Sequence, residues 1–95
     1  MYLRITRGRF DSARYDELLP LTQEVNAAVQ AMPGCQSVHS AVDRTGGRVA
    51  VVSRWDTLEQ ASFSRDTDAR TADVVRRILA LGAQIEPPEI YEVVS

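Results

Sequence analysis

Apolar and polar positions alternate over residues 1–7, where Leu3 and Ile5 interleave with Tyr2, Arg4 and Thr6. That two-residue period predicts a strand, with Gly8 to Ser12 as its exit. From about Ala13 to Met32 the period changes. Tyr15, Leu18, Thr22, Val25, Val29 and Met32 recur at spacings of three and four, one stripe of a helix. Asp11 or Ser12 is placed to cap it, and Asp16 and Glu17 sit near its positive end. Pro20 removes a hydrogen bond to Asp16 and predicts a kink or short break at Leu19-Pro20. Pro33-Gly34 stops the helix. Cys35 to Asp43 and Arg48 to Trp55 read as two further strands joined by a turn at Arg44-Thr45-Gly46-Gly47. Asp56, with Glu59 three residues on, has the pattern of a helix cap for a short helix ending near Phe63 to Asp66. A third helix restarts at Asp68 to Thr71, buries Val74, Val75, Ile78, Leu79 and Leu81, and ends at Gly82. The last strand, Gln84 to Val94, is interrupted by Pro87-Pro88, which belong at an edge or bulge.

The order β-α-β-β-α-β, with its second α region in two pieces, is the split βαβ arrangement of a ferredoxin-like α+β fold, an antiparallel sheet with helices on one face. A two- or four-residue hairpin loop sets Val38, Ser40, Val42, Val49, Val51, Ser53 and Trp55 on one face. The other face receives Ser37, His39, Ala41, Ala50, Val52 and Arg54. One helical layer covers only one face, yet Ala41, Ala50 and Val52 are poor residues for a wet surface. A second copy of the sheet is the simplest cover, so the pattern predicts a homodimer.

Ninety-five residues make one domain, 1–95, with a modest core. Hydrophobic residues at 44% and charged residues at 25% suit a soluble chain. A net charge of −2 without a basic block disfavours nucleic-acid and anionic-membrane binding. One cysteine and one histidine exclude cysteine–histidine zinc sites. There is no phosphate-binding glycine loop. No metal or cofactor is expected. The lone Cys35, together with an N-terminus lacking a signal-peptide core, suggests the cytoplasm.

The segments YDELLPLTQEVNAAVQAMPGCQSV, GGRVAVVSRWDTLEQASF and IYEVV resemble the antibiotic biosynthesis monooxygenase domain of the dimeric α/β-barrel superfamily. The shared features are the long first helix ending at Pro33-Gly34 and the strand ending in Trp55. Asp56, Glu59 and Ala61 on the following helix and the closing Tyr91–Val94 strand complete them. The resemblance covers nearly the whole chain and implies two sheets paired about a two-fold axis, with a ligand pocket between sheet and helices in each subunit. It also implies cofactor-free oxygenase activity on phenols or quinols, a property of some members. The alternative is a non-catalytic ligand-binding or structural dimer. The haem-degrading branch resembles the chain least, because its second tryptophan and its histidine fall on Ser64 and Val74.

Under that implication His39, the only histidine, is the candidate general base. Asn26, flanking the first helix's stripe, is the candidate to orient a substrate oxygen. Trp55, Arg54, Arg4 and Tyr91 are candidate substrate-binding residues for a small aromatic molecule. Each has a structural reading beside it. Trp55 serves as a core anchor, His39 faces a dimer partner, and Asn26 bonds to backbone. The arginines pair with Asp56 or a strand neighbour, and Tyr91 edges the core, as does Tyr15. The hairpin register puts His39 and Trp55 on opposite faces. Asp73, Arg76 and Arg77 read as a solvated helix face.

Overall fold

A computed structural model describes all 95 residues, Met1–Ser95. Strand β1 (Tyr2–Arg9) leads through a 3-10 turn, Ser12–Arg14, into helix α1 (Tyr15–Gln30). Strands β2 (Cys35–Asp43) and β3 (Arg48–Trp55) form the hairpin. Helices α2 (Leu58–Ala61) and α3 (Ala69–Ala80) follow, and the last strand is split into β4 (Gln84–Ile85) and β5 (Glu89–Glu92). The sheet is antiparallel in the order β2-β3-β1, with β4 and β5 both pairing the far side of β1. This is the ferredoxin-like arrangement.

Register fixes what each face carries. Val38, Ser40 and Val42 lie opposite Ser53, Val51 and Val49, which in turn lie opposite Arg4, Thr6 and Gly8. That face carries the helices. The core gathers Leu18, Val25 and Val29 of α1, Val74 and Ile78 of α3, and Trp55, Ala61 and Ala83. Beneath the sheet, Val52 lies between His39 and Ile5, and Ala41 lies opposite Ala50. In β1, therefore, the apolar pair Leu3 and Ile5 faces away from the helices, while Arg4 faces them and is only 7% exposed.

Several local expectations change. Gly8 is not in an exit loop but within β1, buried so closely that a Cβ there would lie 2.7 Å from the Gln84 carbonyl oxygen. Helix α1 runs through Pro20 without a break. The Asp16 carbonyl that loses its partner belongs to an exposed turn, where water can serve it. Thr57, not Asp56, caps α2, its hydroxyl accepting the Gln60 amide at 3.1 Å. Asp56 instead accepts from the Gln36 side chain at 2.6 Å. Leu79 is 40% exposed, since it falls one position off the Thr71-Val74-Ile78 stripe. The turn at Arg44–Gly47 has the expected four residues, with Gly47 at φ +65°. Asp73 pairs with Arg76 and Arg77, and Arg77 also reaches Glu24, so that face is solvated as read.

Candidate functional site

A cleft lies between the helix-bearing face of the sheet and helices α1 and α3. Because the inward residues of β1 and β3 there are small (Thr6, Gly8, Val49, Val51, Ser53), the helices do not fill the space above them. Two lobes share Thr6, Val25, Val51, Ile78 and Ile85. The inner lobe, about 60 Å³, is walled by Phe10, Leu18 and Val49 and is almost wholly apolar. The outer lobe, about 100 Å³, adds Arg4, Ser53, Phe63, Arg65 and Thr71. It shares Arg4, Thr6, Phe63, Arg65 and Ile85 with a polar groove of about 360 Å³. Pro87 and Pro88 line that groove where they interrupt the last strand.

Arg4 is the charged group at the junction. Its Nη1 donates to the Ala61 carbonyl at 2.9 Å and the Phe63 carbonyl at 2.5 Å, and the guanidinium stacks 3.8 Å from the Phe63 ring centre. Burial, and secondarily the nearby Arg65 charge, lower its pKa. It makes no ion pair with Asp56 or any strand neighbour. The Thr71 hydroxyl donates to Asp68 at 2.7 Å, and the Ser53 hydroxyl accepts from the Trp55 indole at 2.8 Å.

The remaining candidates are distributed elsewhere. Trp55 is 1% exposed and reaches the cleft only indirectly, through the Ser53 hydroxyl and through Phe63, whose ring lies 5.2 Å away. Asn26 does not line the cleft. It accepts from Ser40, which does, at 2.7 Å, so it positions that hydroxyl from behind. His39, Arg54 and Tyr91 are exposed, on the open sheet face. Arg54 reaches the Met1 sulfur at 2.8 Å. Tyr91 donates to Glu89, a bond that, with the carboxylate charge, raises the phenol pKa. The structure therefore joins Arg4 to the cleft and separates His39 from Asn26 by the thickness of the sheet.

Phe63, Arg65 and Thr71 are the cleft residues that sequence reasoning passed over. No sequence signal pointed to them: Arg4 alternates in phase with Tyr2 and Thr6, and only the structure turns that side of β1 to the helices, where the guanidinium takes carbonyl partners from the segment after β3.

The sequence profile described as antibiotic biosynthesis monooxygenase matches residues 1–73. The chain belongs to this family. Solved structures agree in fold. A Deinococcus radiodurans protein named for the same family superposes with a TM-score of 0.82 at 15% identity, covering 100% of this chain and 94% of its own. Protein Rv0793 of Mycobacterium tuberculosis gives 0.77 at 14%, covering 99% and 95%. A Bacteroides thetaiotaomicron protein of unknown function gives 0.77 at 18%, covering 97% of each. No curated protein matches the sequence. No helix is long and apolar enough to cross a membrane. In this family member the cleft over β1 and β3 runs from apolar walls to the buried Arg4 guanidinium, against which the Phe63 ring stacks.

Proposed function

We propose that the protein is a cofactor-independent monooxygenase that oxidises a small phenol or quinol in the cleft between sheet and helices, working as a cytoplasmic homodimer. The observation that carries this reading is the apolar cleft ending at a buried guanidinium, Arg4. Pockets for drug-sized ligands run to roughly 300–1,000 Å³. The lobes here are smaller, which favours a one- or two-ring substrate whose oxygen projects toward the groove. Arg4 favours the ionised phenol or enol, because charge interactions strengthen where water is excluded. The proton leaves to water, and the electron-rich anion reduces oxygen directly. One oxygen atom enters the ring carbon. The other leaves as water with two hydrogens from the substrate, so no external reductant is needed. His39 lies on the far face, so in this reading Arg4, not a histidine base, promotes ionisation. Asn26 acts through Ser40.

Leu3, Ile5, Ala41, Ala50 and Val52 on the face without helices support the homodimer.

The test is oxygen uptake with small phenols and quinols, with labelled O₂ to follow one atom into product. Wild type should consume oxygen, whereas Val51→Phe, which fills the shared wall of both lobes, should lose turnover while keeping its circular dichroism. Ligands that raise Tm without oxygen uptake would replace the catalytic reading with the ligand-binding one.

A further inference from the structure

We propose that Arg4 and Arg65 together form an anion receptor, so that the molecule held in the cleft is an aromatic acid with a permanent negative charge. The inference rests on the cleft being the ligand site, and it narrows the phenol or quinol held there to one that also carries a carboxylate.

Both arginines line the outer lobe and the groove beside it. They are close enough that the Arg65 charge disfavours the charge on Arg4. Two like charges in a poorly solvated place repel, and natural chains usually relieve this with a carboxylate. Here neither guanidinium makes an ion pair. Asp66 and Glu86 line the same groove without bonding to either. A guanidinium has five donors. Arg4 commits Nη1 to two carbonyls and leaves Nε and Nη2 without a partner. Those two nitrogens are not sealed off, since the only fully enclosed unpartnered side-chain atom is Gln60 Oε1. They present the two-pronged edge that a carboxylate accepts. The apolar lobes beyond Arg4 take the ring.

A purely structural Arg4 would account for its bonds to Ala61 and Phe63. It would not account for Arg65, which has no hydrogen bond of its own and is half-buried beside it. Arg65 is therefore the informative position.

The experiment is calorimetric titration of the full-length protein at neutral pH and low salt with 2-naphthoate and its neutral counterpart, 2-naphthamide. Naphthoate should bind about tenfold more tightly than the amide. Arg65→Gln should erase most of that difference while leaving naphthamide unchanged, and Arg65→Lys should restore part of it. Arg4→Lys, which keeps the charge but loses the fork, should weaken naphthoate more than naphthamide. Equal affinities for the two probes, or an equal loss of both in Arg65→Gln, would overturn the anion receptor and leave the cleft standing as an aromatic site. Absence of binding by both probes would overturn the receptor and the cleft reading together.

Discussion

Single side chains set the chemistry of this cleft by where the pleat sends them. Ser53 is 3% exposed and accepts the indole N–H of Trp55, itself buried against Phe63. Ser53→Ala leaves that donor enclosed without a partner, which costs about 1–3 kcal/mol. A chain of this size should then lose roughly 4–24 °C in Tm, read by thermal denaturation. Trp55→Phe in the Ser53→Ala background should cost less than the two single changes summed, because the orphaned donor is removed with the ring. A simple sum would mean the bond contributes nothing. At this scale the sequence was half legible. Trp55 as a core anchor followed from its size and its place at a strand end. Arg65 did not, because a lone arginine in a short loop has no periodicity to place it, and only the fold brings residues 4 and 65 together.

Elements were more legible, for the physical reason that each carries its own signal. The β2–β3 hairpin came out with its boundaries and register because a four-residue turn with a glycine at φ +65° leaves little freedom between alternating strands. The start of α2 misled because Asp56 and Thr57 are both good caps, and a tertiary bond from Gln36 took Asp56 away. Helix α3 begins on a capping aspartate. Asp68 accepts first from the Thr71 hydroxyl and then from its amide, and both lower the carboxyl pKa. A folded-state pKa below the unfolded one means the stabilisation is present above the ordinary aspartate value, about 3.9, and is lost as pH falls through the folded-state value. Asp43, held low by the Gly46 amide and then by Arg48, contributes with the same sign. Asp68→Asn keeps an acceptor without a titrating charge. Its Tm should fall less steeply than wild type below about pH 4, measured by parallel thermal melts. Identical slopes would remove Asp68 from the acid response.

At the scale of the whole molecule, one face of the sheet is clothed by helices and the other bears Leu3, Ile5, Ala50 and Val52 with none above them. The apolar alternation of β2 and β3 made this asymmetry readable in the sequence. The orientation of β1 was not readable, because a strand with apolar residues on one side looks the same whichever way that side points. Val52→Glu sits in the middle of the open face and should convert a homodimer into a folded monomer, followed by light scattering at micromolar concentration. A wild-type monomer mass would end the dimer proposal, and an unchanged dimer in Val52→Glu would move the interface elsewhere.

The split in the last strand bears on how the chain tolerates crowding. The edge formed by β4 and β5 offers a neighbour only two and four residues of ladder, with Pro87 and Pro88 between them. Such an edge is a poor template for strand addition. The opposite edge, β2, runs for nine residues with no proline, lysine or arginine. Fibril growth or strand exchange between molecules therefore has one point of entry, and a single lysine introduced along the outer side of β2 would guard a border that the prolines already close on the other side.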